Sequence, residues 1–236
     1  MTRTVPRSQR HAAHGGSAAL LVTVIVAAAA LTMSAWWLFA RDAVATVDTS
    51  VLKPMPAPIT LPGASLVTDD GKSFGPENFE GQWTLLYFGY TLCPDVCPIE
   101  LGALRQFGNL LEDQHPALAA RTQRVFISVD PERDTPQRIR DFTEYFDSAI
   151  VGATGTPIEL ERFAAPLGVG WSKRSNHYRD PSDREETGND YLVDHTTAIL
   201  LVAPDARLRA VFPTPHGPQP MVDAFHRYQK EQEGSR

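Results

Sequence analysis

Cysteine is scarce in this chain: 236 residues contain only two, Cys93 and Cys97. Any thiol chemistry therefore rests on one pair. Charge is missing from one long stretch. Residues 11–40 contain no Asp, Glu, Lys or Arg, which argues against an ordinary core helix there, because such a helix needs a polar face. A glycine-rich nucleotide loop, a His-Glu-x-x-His helix and a serine elbow are all missing, and so are the signatures of the chemistries they serve. No internal repeat is present. Acids outnumber bases, giving a formal net charge of −6, or −9 without the three N-terminal arginines. An acidic domain argues against nucleic acid as a partner. It suits a basic partner patch, and it equally suits simple solubility.

Ala18 to Ala40 is almost wholly apolar. As a helix it would span roughly 35 Å, against a bilayer core of about 30 Å. Arg3, Arg7 and Arg10 precede it with no acid among them. Positive residues stay cytoplasmic, so the rest of the chain is expected on the outer face. Trp36 and Trp37 stand near the outer end, where amphipathic rings favour the interface. A cleaved signal peptide is the rival, with Ala43-Val44-Ala45 as its small-residue site. The length of the apolar run favours an uncleaved anchor. The chain is thus expected to divide into a cytoplasmic tail (1–17), a transmembrane anchor (18–40), a proline-rich linker (41–58) and one domain (59–236), long enough for a sizeable core. Alternating Pro54, Pro56 and Pro58 favour an extended spacer.

Within the domain, Leu66-Val67 and the turn Asp70-Gly71 signal a hairpin. Trp83 to Phe88 and Val125 to Val129 read as buried strands. Between them, Pro98 to Leu111 reads as a helix with Leu101, Leu104 and Leu111 on one face. Thr135-Pro136 and Thr156-Pro157 each place a capping hydroxyl before a proline at the first helical position. Ile150 to Ala153 reads as a short strand. Ala198 to Val202, a turn at Asp205-Ala206 and Leu208 to Phe212 form a second hairpin, and Pro220 to Gln232 a final helix. Alternating strands and helices closed by a hairpin and helix predict a three-layer α/β domain with a mixed sheet. Ser172 to Asp190 is the one long polar stretch with no predicted element.

Cys93 and Cys97 follow a buried strand and sit where a helix begins. Helix amide dipoles there favour thiolate over thiol. A purely structural disulfide is a weak staple, because a five-residue loop yields only about 2 kcal/mol by chain entropy. A redox pair and a soft-metal site remain open, and an imidazole would complete the latter. Among seven histidines, His11 and His14 lie at or before the anchor. His115 and His226 read as surface groups, and His177 and His216 carry no spacing signal. His195 differs, standing in Val193-Asp194-His195-Thr196-Thr197 at the mouth of a buried strand, where α/β sites form. Asp130 and Asp134 flank Pro131-Glu132-Arg133 at the end of another strand. They read either as turn and cap residues or as outer groups that orient a ligand.

Three segments together resemble the Sco/SenC family. They are Tyr87-Phe88-Gly89-Tyr90-Thr91-Leu92-Cys93-Pro94-Asp95-Val96-Cys97-Pro98, then Ser128 to Pro136, then Val193 to Thr197. They occur in the family's order, and the likeness covers about residues 59 to 230. The resemblance implies a thioredoxin-like fold with an added N-terminal hairpin. It implies copper, as Cu(I) or Cu(II), held by Cys93, Cys97 and His195, with Asp130 and Asp134 matching a paired-aspartate element. It implies a metallochaperone, not an enzyme in the turnover sense, that serves the binuclear copper centre of cytochrome c oxidase. Its partners would be the oxidase subunit that holds that centre, and a thiol reductant or another copper chaperone. The alternative role is a thiol–disulfide oxidoreductase acting on the partner's cysteines. Generic thioredoxins carry Cys-x-x-Cys and a cis-proline facing it. Here the thiol spacing is one residue longer, and Asp194-His195-Thr196 stands where that proline is expected.

Overall fold

A computed structural model describes residues 27–30, 32–34, 51–175 and 191–234. The chain separates into two compact units, Met1–Thr46 and Val47–Arg236. In the first, residues 27–30 and 32–34 are helical. The rest of the apolar run expected as an anchor lies outside the described residues. Among those described, no helix is long and apolar enough to cross a membrane.

The second unit is built on an eight-stranded mixed sheet. Its strands are β1 (Lys53–Thr60), β2 (Leu66–Thr68), β3 (Ser73–Phe74), β4 (Trp83–Gly89), β5 (Thr122–Ser128), β6 (Ile150–Thr154), β9 (Ile199–Ala203) and β10 (Arg207–Phe212), in the spatial order β1-β10-β9-β4-β5-β6-β2-β3. A separate ribbon pairs β7 (Trp171–Ser175) with β8 (Tyr191–His195). The helices are α1 (Val96–Gln114), the short α2 (Pro116–Ala119), α3 (Pro136–Phe146), α4 (Pro157–Ala164) and α5 (Pro218–Gly234). The centre of the sheet is parallel, β4 with β5 and β5 with β6, and β9 joins β4 antiparallel.

All seven residues of β4 are buried, as a strand covered on both faces requires. Side chains alternate along it. Trp83 meets Phe225 and Tyr228 of α5, and Tyr87 meets Phe126, its register partner on β5, which in turn meets Phe142 of α3. Phe88 turns to the opposite face and meets Phe163 of α4. The two layers of helix therefore grip one sheet through rings of opposite parity. Thr135 and Thr156 cap α3 and α4 as their spacing predicts, each hydroxyl accepting from the backbone N–H three residues on, at 3.3 Å.

Three expectations change. Residues 53–58, read as the end of a linker, belong to β1, which pairs with β10 at the rim of the sheet. Prolines are tolerated there because an edge strand has one side free of ladder bonds. The register shifts between Pro54 and Ile59, where Pro56 and Pro58 fall. The polar stretch begins as β7, since Ser172 to Ser175 pair with Asp194 to Tyr191; residues 176–190 lie outside the described residues. Finally, the helix read over Pro98 to Leu111 runs over Val96–Gln114 as α1, so its first turn takes in Cys97, while Cys93 precedes it.

Candidate metal centre

Three loops converge at the carboxyl end of β4. The first, after β4, brings Cys93 and Cys97. Cys97 is fully buried and packs against Gly89, where an added Cβ would stand 2.9 Å from its sulfur. Cys93 is half-buried and takes a role that Asp95, at the N-cap position, leaves open: Asp95 makes no side-chain cap bond, and the Cys97 N–H donates to Cys93 Sγ at 3.4 Å. One of the helix's orphan N–H groups is thus satisfied by sulfur, and the positive end of the helix faces that sulfur.

The second element is β8, whose last residue is His195. Its Nδ1 lies 3.0 Å from the Thr196 carbonyl oxygen. A carbonyl only accepts, so Nδ1 carries a proton, and the ring nitrogen left for other partners is Nε2. That Nε2 lies 3.5 Å from Cys97 Sγ. The rings of Tyr87 and Tyr90 stand edge-on to the imidazole, each with its centroid 6.0 Å away. One donor atom from each of Cys93, Cys97 and His195 lies within 4.8 Å of the others, and no other group of three or more such residues does so among the described residues. Both thiols are free.

Protons divide unequally between the sulfurs. Hydrogen bonding from Cys97, backed by His195, holds the Cys93 thiol far below its ordinary range, to about 3. Its bond to that neighbouring sulfur and its own burial push Cys97 up. The metal-free site therefore carries one thiolate, on Cys93, and one thiol, on Cys97. Burial also drives the Tyr87 hydroxyl up, and takes Tyr90 to about 12, so both phenols stay neutral beside the sulfurs. A cavity of about 590 Å³ opens on Cys93 and His195, walled by Tyr90, Pro94, Val96 and Leu192.

The third element is the turn after β5. Asp130 and Asp134 are both buried, and neither belongs to the three-residue donor cluster. Asp134 accepts from the Thr91 N–H at 2.8 Å, from the Thr91 hydroxyl at 2.6 Å and from the Ser128 hydroxyl. Asp130 accepts from Arg133 Nε and from the Tyr191 hydroxyl, the latter at 2.6 Å. Thr91, Arg133 and Tyr191 carry no individual signal in the sequence. Tyr191 shares a strand with His195 only by virtue of the β7–β8 ribbon.

Among the described residues, the three other histidines are not loose surface groups. His115 and His226 stack on each other, with centroids 3.6 Å apart. His216 has a fully buried side chain paired with Glu100 of α1.

The chain matches known proteins over most of the domain. Residues 61–230 fit the SCO1/SenC family model. The chain belongs to the SCO1/SenC family. A solved relative, Arabidopsis thaliana ScoI with copper bound, is 32% identical and superposes with a TM-score of 0.61, covering 74% of this chain and 98% of that one. Yeast Sco1 with copper bound is 28% identical, with a TM-score of 0.63 over 76% of this chain and 96% of that one. A putative copper-binding protein of Stutzerimonas stutzeri is 33% identical over 171 residues, 72% of this chain and 77% of that protein. The human mitochondrial SCO1 homolog is 38% identical over 148 residues, 63% of this chain and 46% of that protein. The chain matches slightly less than half the length of its Arabidopsis and human SCO1 relatives. Membership accounts for the thioredoxin-like α/β fold: parallel β4 and β5, antiparallel β9 and β10, and a dithiol at the start of α1.

Proposed function

We propose that this SCO1/SenC protein is a membrane-anchored metallochaperone that binds copper through Cys93, Cys97 and His195 and delivers it to the binuclear copper centre of cytochrome c oxidase. The observation that carries this reading is the convergence of two sulfurs and one imidazole nitrogen within 4.8 Å. Two thiolates and an imidazole are a soft donor set of the kind Cu(I) prefers, while Cu(II) favours a fourth, harder ligand such as water or a carboxylate. The proton pattern fits loading. Cys93 is already ionised, and arrival of the cation displaces the proton of Cys97. The cavity beside Cys93 and His195 gives an acceptor's thiol a path to the cargo. Residues 18–40 hold the protein in the inner membrane, amino terminus inside, with the domain on the periplasmic or equivalent face. The partners are the oxidase subunit that receives copper and a thiol reductant or second chaperone that keeps the site reduced.

X-ray absorption of the reduced, copper-loaded chain tests the site. Two Cu–S bonds and one Cu–N bond are expected in wild type, and His195→Ala should abolish the Cu–N scattering. Unchanged copper affinity in that variant would refute the site.

One observation favours a second reading, a thiol–disulfide oxidoreductase. An ionised, half-buried Cys93 beside a buried, protonated Cys97 is the arrangement of an attacking and a resolving thiol. Cys93 would attack a partner's disulfide, release one partner thiolate and form a mixed disulfide. Cys97 would then displace the second partner thiol and leave a Cys93–Cys97 disulfide. This reading needs both cysteines and not His195, so oxidase assembly that survives His195→Ala but not Cys93→Ala would select it.

A further inference from the structure

Cys97 and His195 are 98 residues apart in sequence, and one segment that holds neither contacts both of the elements that carry them. The β5–α3 turn touches both ligand-bearing loops, each through a different aspartate. On one side, Asp134 takes both the N–H and the hydroxyl of Thr91, two residues before Cys93. On the other, Asp130 binds Arg133 and the Tyr191 hydroxyl. Arg133 Nη1 donates to the Tyr191 carbonyl at 2.8 Å, and its guanidinium lies 3.5 Å from the Tyr191 ring centroid. Lys173 covers the same ring at 4.6 Å. Tyr191 begins the strand that His195 ends. The turn itself is stiff, because the Arg133 and Asp134 N–H groups both donate to the Asp130 carbonyl, at 3.1 and 2.9 Å.

From this we infer that the turn is a two-armed clamp, in which Asp134 positions the thiol loop through Thr91 while Asp130, Arg133 and Tyr191 position His195 through β8. Tyr191 is a positioning residue for the nitrogen ligand. Arg133 serves the same arm and also sets its guanidinium 5.7 Å from the ring centroid of Tyr90 in the thiol loop, a cationic contact that Arg133→Lys keeps in kind. The inference rests on the copper reading above, and it adds a division of labour: damage to the Asp130 arm removes nitrogen and spares sulfur. An outer group that orients a metal-bound histidine typically sets affinity by about 10- to 100-fold.

Full-length Tyr191→Phe and Arg133→Lys provide the test. The first removes only the hydroxyl on Asp130. The second keeps the charge and gives up the planar fork. Both should retain two Cu–S bonds by X-ray absorption, show reduced Cu–N amplitude, and bind Cu(II) about 10- to 100-fold more weakly. Asp134→Asn should instead disturb the Cu–S shell. A wild-type Cu–N contribution in both β8-arm variants would overturn the clamp while leaving the copper site intact. Wild-type protein without a two-sulfur, one-nitrogen site would overturn the copper reading. The clamp then stands or falls on a copper-free measurement, the imidazole ¹⁵N shifts of His195 in the reduced protein. One fixed Nδ1–H tautomer in wild type, averaged in Tyr191→Phe and Arg133→Lys, supports it. Identical shifts in all three proteins refute it.

Discussion

Nε2 of His195 lies 3.5 Å from Sγ of Cys97, while Nδ1 is committed to the Thr196 carbonyl. That relationship turns a redox-type dithiol into a three-donor site. The two thiols differ for other reasons: Cys97 is buried and bonded to the neighbouring sulfur, and Cys93 accepts hydrogen bonds at the helix start.

Thiol reactivity should show this difference directly. With Cys93 held down to about 3 and Cys97 pushed up, the Cys93 thiolate persists well into acid and Cys97 remains a thiol. Iodoacetamide at about pH 5, where an ordinary thiol is almost wholly protonated, should label Cys93 and spare Cys97. Peptide mass spectrometry reads the ratio, and equal labelling of the two would contradict the assignment.

Gly89 should tolerate no side chain. A methyl group there would meet Cys97 Sγ and the Phe126 ring, each at 2.9 Å. Gly89→Ala is expected to cost about 1–3 kcal/mol by overpacking. It should also shift the buried sulfur and weaken copper binding. Urea unfolding and competition against a Cu(I) chelator measure the two effects.

The Glu100–His216 pair should matter to stability. His216 Nε2 faces the Phe212 carbonyl at 2.9 Å, and Nδ1 is hydrogen-bonded to Glu100. Both side chains are buried, and they tie α1 to the segment that leads into α5. Removing one partner of such a pair strands the other, so Glu100→Ala should cost about 3 kcal/mol in denaturant unfolding of the metal-free chain. A cost below about 1 kcal/mol, the worth of an ordinary exposed pair, would show that the pair is not a structural tie.

Membrane attachment should follow residues 18–40. The full chain is expected to sediment with membranes and resist alkaline extraction, and a chain begun at Val51 to stay in the supernatant. A full-length chain recovered in the supernatant would refute the anchor.

The sequence by itself determined most of the element order. Trp83 to Phe88 and Ala198 to Val202 are short apolar runs bounded by turn residues, and Thr135-Pro136 and Thr156-Pro157 are local helix starts, so nearest-neighbour chemistry specifies them. It also supplied Cys93, Cys97 and His195 as candidates, on their place at strand ends and on the family resemblance. Other features were not local. Pro54 to Pro58 has spacer composition, and only the open edge of β10 makes it a strand. Tyr191 to His195 pairs with residues on the far side of a long polar stretch, so no window of sequence reveals the ribbon. The tertiary structure alone decided that Cys93, not Asp95, receives an N–H at the start of α1. It alone divided the two aspartates between the two ligand loops, because a carboxylate's role depends on which donors reach it, and here they come from residues 43 and 61 positions away.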